Sequence, residues 1–184
     1  MRTGFFIVLT LLGYSCTEIS YKEPQPKGVA ALKKIPGKLQ GRYQLSENGS
    51  VLDVRVVVFE RGYRIEPKDT TEKTDEFLLS DSLVLKHYKG YYFLNIRSAY
   101  SWRLRIVERK KNGDLQLIEM KKVPEGEASS KEFLDKLQAE VPVIKTEVNG
   151  YPQYLIDPTP RKLLDLIKKG FFGKKTLFVK ESER

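Results

Sequence analysis

The chain contains one cysteine, Cys16, and one histidine, His87. A single thiol excludes an internal disulfide and any multi-cysteine zinc site, and a single imidazole excludes multi-histidine metal centres. No apolar run reaches the roughly 20 residues needed to cross a bilayer as a helix. There is no Gly-x-Ser-x-Gly elbow to present a nucleophile. The stretch Gly170-Phe171-Phe172-Gly173-Lys174-Lys175 has glycines and lysines but no helix after it, so it reads as a turn and not as a phosphate cradle. Internal repeats and low-complexity tracts are missing too. These absences predict a protein without cofactor or metal.

What is present belongs to a folded domain. Of 184 residues, 40% are hydrophobic and 31% charged, which suits one globular unit. Ten Tyr and nine Phe supply material for a core. The net charge of +9 favours anionic surfaces.

The N-terminus carries a processing signal. Arg2 precedes Phe-Phe-Ile-Val-Leu-Thr-Leu-Leu at residues 5–12, the layout of a short secretory leader. Cys16 follows after Gly13, Tyr14 and Ser15, and the segment Leu12-Gly13-Tyr14-Ser15-Cys16 resembles the lipobox of bacterial lipoproteins. The resemblance implies removal of residues 1–15 and a diacylglyceryl group on the Cys16 thiol. It also implies that Thr17, not being aspartate, sends the protein to the outer membrane in preference to the inner. Gly13 and Ser15 equally fit ordinary small-x-small cleavage, which leaves a soluble secreted protein as the alternative. An exported basic protein is expected to meet lipid or an acidic envelope protein, not nucleic acid.

Residues 16–37, with Pro24, Pro26 and Pro36, read as a lipidated tether, and residues 38–184 as one domain. Within 38–123 the pattern is of antiparallel β type. Leu52, Val54, Val56 and Val58 alternate along one strand. Residues 83–88 and 91–97 flank Lys89-Gly90, a hairpin turn. Residues 102–108 and 115–120 flank Asn112-Gly113, which predicts a type I′ turn. Shorter strands are expected at 39–45, 63–66 and 76–79. The fold class is therefore α+β and mainly β: a meander curling into a barrel or half-barrel. In residues 124–184, Ser129 and Glu132 form a capping box for one helix. Thr159 and Pro160 open a second, with Leu163, Leu164 and Ile167 inward and Gly170 as its stop. Residues 176–180 read as a short closing strand.

Val54, Val56, Tyr92, Leu94, Trp102 and Leu104 are expected to face a common interior. The second aromatic face, Tyr91 and Phe93, calls for cover by the later helix. Tyr88, Tyr91, Phe93, Trp102, Arg103 and Arg105 form the candidate binding surface. Arg109, Lys110 and Lys111 extend a basic stripe that also reads as edge protection. His87 has no relay partner, because Asp81 and Ser82 point to opposite faces if extended. The pairs Asp75/Glu76 and Glu125/Glu127 read as solvated loop charges. Two functions remain: a non-catalytic module binding an apolar or anionic lipid ligand or another envelope protein, and, alternatively, an envelope hydrolase using carboxylates not identifiable in the sequence.

Overall fold

The computed structural model describes residues 18–47, 50–67, 74–148 and 151–181. Cys16 and the leader lie outside them. The strands are β1 (Ile19–Tyr21), β2 (Gly41–Glu47), β3 (Ser50–Phe59), β4 (Gly62–Pro67), β5 (Asp75–Leu78), β6 (Leu83–Tyr88), β7 (Tyr91–Ser98), β8 (Ser101–Arg109), β9 (Leu115–Met120), β10 (Val143–Val148), β11 (Tyr151–Ile156) and β12 (Phe172–Lys180). The helices are α1 (Glu127–Gln138) and α2 (Pro160–Lys168).

The sheet is mostly antiparallel and built from two four-stranded meanders, β2 to β5 and β6 to β9. The last strand, β12, joins them by pairing with β2 on one side and β9 on the other. The expected short closing strand is thus nine residues long and central. Beside β9, β1 takes the remaining edge of β8 at Tyr21↔Trp102, then runs parallel to β11, which pairs with β10.

The sheet does not close into a barrel. Among the described residues β5 and β6 share no ladder, although they are consecutive in the chain. Residues 31–39 cross the gap instead. Ala31 bridges to Lys86, the Leu32 N–H donates to Leu85 O (2.7 Å), and the Ile35 N–H donates to Glu60 O (2.8 Å). Ile35 and Leu39 of this strap are buried.

Residues 18–37 are therefore no free tether, which corrects the expectation from their prolines. Ile19 and Tyr21 belong to the core. Gln25 is wholly buried, and its backbone is gripped by Asn95. Proline excludes long regular elements but not irregular backbone held by side chains from elsewhere.

Local chemistry explains most turns. Lys89 (φ 49°) and Gly90 (φ 88°) both take the left-handed conformation of a type I′ hairpin. The Asn112-Gly113 turn departs from expectation. Only Gly113 is left-handed (φ 96°), and its N–H donates to Lys110 O, so the loop is a type I turn closed by a left-handed glycine. Asp114 explains the choice. Its two oxygens accept from the Lys180 N–H (2.8 Å) and the Asn112 side chain (2.7 Å), tying the loop to β12.

α2 forms as expected, with Thr159 accepting from the Lys162 N–H and Gly170 at φ 78° ending it. Its buried residues are Leu163 and Leu166, while Leu164 and Ile167 pack partly buried on the same core. α1 does not use the capping box. It starts after Gly126 (φ 91°), two residues before Ser129, whose hydroxyl turns back to the Glu125 and Gly126 carbonyls.

Candidate functional site

Residue periodicity divides the β6–β9 meander into two faces. The registers Lys86↔Phe93, Asn95↔Leu104 and Phe93↔Ile106 put Phe93, Leu104 and Ile106 on one side. Tyr88, Tyr91 and Trp102 lie partly buried in the same cluster. α1 and α2 cover it with Leu137, Leu163 and Leu166. The expected cover of Tyr91 and Phe93 by the second helix is thus found. Trp102 and Leu104 are corrected: they face the helices, not the interior shared by Val54, Val56 and Leu94. The antiparallel register decides this, since Leu104 stands opposite Asn95 and not opposite Leu94.

The opposite face is concave and forms a mostly apolar pocket of about 210 Å³ that opens to solvent. Val54, Val56 and Val58 reach it from β3, Tyr63 and Ile65 from β4, and Tyr43 and Leu45 from β2. Leu85, Leu94 and Val107 line it from β6, β7 and β8; Leu115, Leu117 and Phe178 from β9 and β12; and Ile35 and Leu39 from the strap. Tyr92 packs in the cluster around it, with the His87 ring tilted against it at 4.5 Å and the Lys38 ammonium over it at 5.5 Å.

Three lining residues carry polar ends. The Tyr43 hydroxyl donates to Leu39 O (2.9 Å), and burial pushes its pKa up. Tyr63 stacks on Phe77 at 4.9 Å; burial raises its pKa, against a smaller lowering by the Arg105 charge. Arg105 is the one charged lining residue, and its Nε meets Glu119 at 2.8 Å.

The candidate binding surface therefore does not exist as one patch. Phe93 is fully buried, Tyr91 meets it edge-on at 6.3 Å, and Arg97 lies over Trp102 at 5.8 Å. Arg103 is exposed and pairs with Glu18 at 2.9 Å. Only Arg105 reaches the cavity. The basic stripe is also broken up: Lys110 pairs with Glu108, and the Arg109 Nε donates to Lys38 O.

His87 is exposed, as are Asp75 and Glu76 on β5 and Glu125 and Glu127 around the start of α1. Among the described residues no group of three or more His, Cys, Asp or Glu is placed to hold a metal ion. No described helix is long and apolar enough to cross a membrane. Sequence reading missed Tyr63, Ile65, Leu115 and Leu117 as cavity residues. The signal was available, because each pair is two apart in a strand.

Comparison with protein-family models, curated proteins and solved structures found no match to the chain.

Proposed function

We propose that this is a lipid-anchored cell-envelope lipoprotein, attached through Cys16, whose domain is a non-catalytic module binding a small apolar ligand. In this reading the incompletely closed sheet works as a half-barrel. The outer membrane is the proposed location, reached through the leader and anchor. The observation that carries the binding role is the apolar cavity beneath the strap.

A concave, mostly apolar pocket of this kind favours the apolar part of a small ligand over water. At a liquid share of ~30 Å³ per water, its volume matches a ligand of on the order of seven to nine non-hydrogen atoms. Burying about six or seven methylenes of such a ligand is worth about 0.8 kcal/mol each, on the order of 5 kcal/mol in all. A neutral filler recovering most of that binds with a Kd of roughly 0.1–1 mM.

Titration of the folded domain with 1-heptanol, followed by amide chemical shifts, tests the binding role. Shifts should concentrate at Val56, Leu94 and Leu117, saturate in that range, and vanish in Val56→Phe, which fills the space. Shifts spread over the surface without saturation refute it. The anchor is tested separately by fractionating cells that express Cys16→Ser. That variant should leave the membrane fraction or persist as precursor, and a wild-type protein that takes up no labelled fatty acid overturns the assignment.

A further inference from the structure

We infer that the cavity selects an aliphatic chain ending in a carboxylate, held by Arg105 at the cavity wall. The inference rests on the apolar-ligand reading above and adds the chemistry of the head group.

Apolar side chains dominate the lining, and charge enters at one point only. Arg105 projects from β8 between Leu94 of β7 and Glu119 of β9. Its side chain keeps 39% of its exposure, so the guanidinium borders both solvent and the apolar space. A ligand with its chain inside can therefore keep its head at the guanidinium without burying an unpaired charge, which is the costly alternative. Tyr63 of β4 lines the same pocket, and the Arg105 charge works against the rise that burial gives its hydroxyl pKa.

A guanidinium carries five N–H donors in a planar fork, and Glu119 is met at Nε. The fork has capacity for a second carboxylate in the bidentate manner. The Glu119 carboxylate already offsets part of the Arg105 charge, which favours a monoanion over a dianionic phosphate. Glu119 thus acts as an internal competitor, occupying the cation while the cavity is empty. A neutral chain of equal length gains nothing from this corner.

The test compares octanoate with 1-octanol at neutral pH by titration calorimetry of the folded domain, with wild type, Arg105→Gln and Glu119→Gln. Octanoate should bind wild type at least tenfold more tightly than octanol. That ratio should fall to about one in Arg105→Gln and rise several-fold in Glu119→Gln. The opposite directions separate selection from simple damage, which would weaken both ligands in both variants. A wild-type ratio near one overturns the inference while leaving the apolar-ligand reading intact. So does a fall in both affinities in Arg105→Gln with the ratio unchanged. Octyl phosphate binding more tightly than octanoate overturns the carboxylate assignment. Failure of both octanol and octanoate to bind wild type removes the underlying reading itself.

Discussion

Asn95→Ala tests whether the N-terminal segment is integral to the domain. Asn95 is fully buried on β7. Its Oδ1 accepts from the Gln25 N–H at 2.7 Å, and its Nδ2 donates to Gln25 O at 2.8 Å and to Phe93 O at 3.2 Å. Gln25 is itself wholly buried, so water does not replace the lost partner cheaply. Alanine orphans both backbone groups of Gln25. At about 1–3 kcal/mol for each unsatisfied buried group, the loss is about 2–6 kcal/mol. That is a large part of the roughly 5–15 kcal/mol that holds a typical domain folded. With ~2–4 °C per kcal/mol for a domain of this size, Tm should fall by on the order of 10 °C. Thermal unfolding by circular dichroism measures the global loss, and hydrogen exchange at the Gln25 amide reports the local one. An unchanged Tm with the Gln25 amide still protected refutes the reasoning, because the segment would then owe nothing to Asn95.

Two further perturbations probe other parts of the fold. Ending the chain after Phe171 removes β12 and separates the two meanders, so cooperative unfolding and near-ultraviolet dichroism should disappear; a native-like cooperative transition would contradict the central place of that strand. Glu140 is held below its ordinary value of 4.5 by its hydrogen bond to Lys169, with Lys162 contributing less. A depressed carboxyl stabilises fully above its unfolded pKa, and that contribution is lost as pH falls through the lower folded value. Glu140→Gln should therefore lower Tm at pH 6 and close on wild type as pH falls progressively below 4.5, and a deficit that does not change with pH would refute the pairing.

The strands from 50 to 120 were legible because their signals are local. Valine alternation fixes the faces of β3, and Lys89-Gly90 has the chemistry of its turn. What failed was less local. Trp102 and Leu104 read as inward from the sequence only on the premise that the apolar residues share one interior. With both faces of β8 covered, apolarity no longer identifies a side, and only the register to β7 does. The three residues of β1 are too few to show periodicity and acquire strand form only from β8 and β11. β10 and β11 were overlooked, although Asn149-Gly150 stands between them in the sequence as a hairpin signal. At the pocket, Arg105 is among the candidate residues, and the two-residue period already puts 102 and 105 on opposite faces, so no single patch could hold both.

The two faces of β8 also relate the ligand site to the proposed anchor. Trp102 lies toward the helices, so its fluorescence is a reporter of the packed face and a poor reporter of cavity occupancy. Between Cys16 and β1 stand only Thr17 and Glu18. Glu18 is itself held, since its carbonyl accepts from the Tyr154 N–H at 3.4 Å and its carboxylate pairs with Arg103. At about 3.3–3.6 Å per extended residue, the linkage leaves roughly 10 Å between the lipid-bearing residue and buried sheet. A long tether would let the domain swing clear of the bilayer. With lipid on Cys16, this chain instead brings the Glu18 end of β1 against the membrane surface. The strap that roofs the pocket follows from that same strand, so in the proposed reading the start of the chain would be both the link to the anchor and one wall of the ligand site.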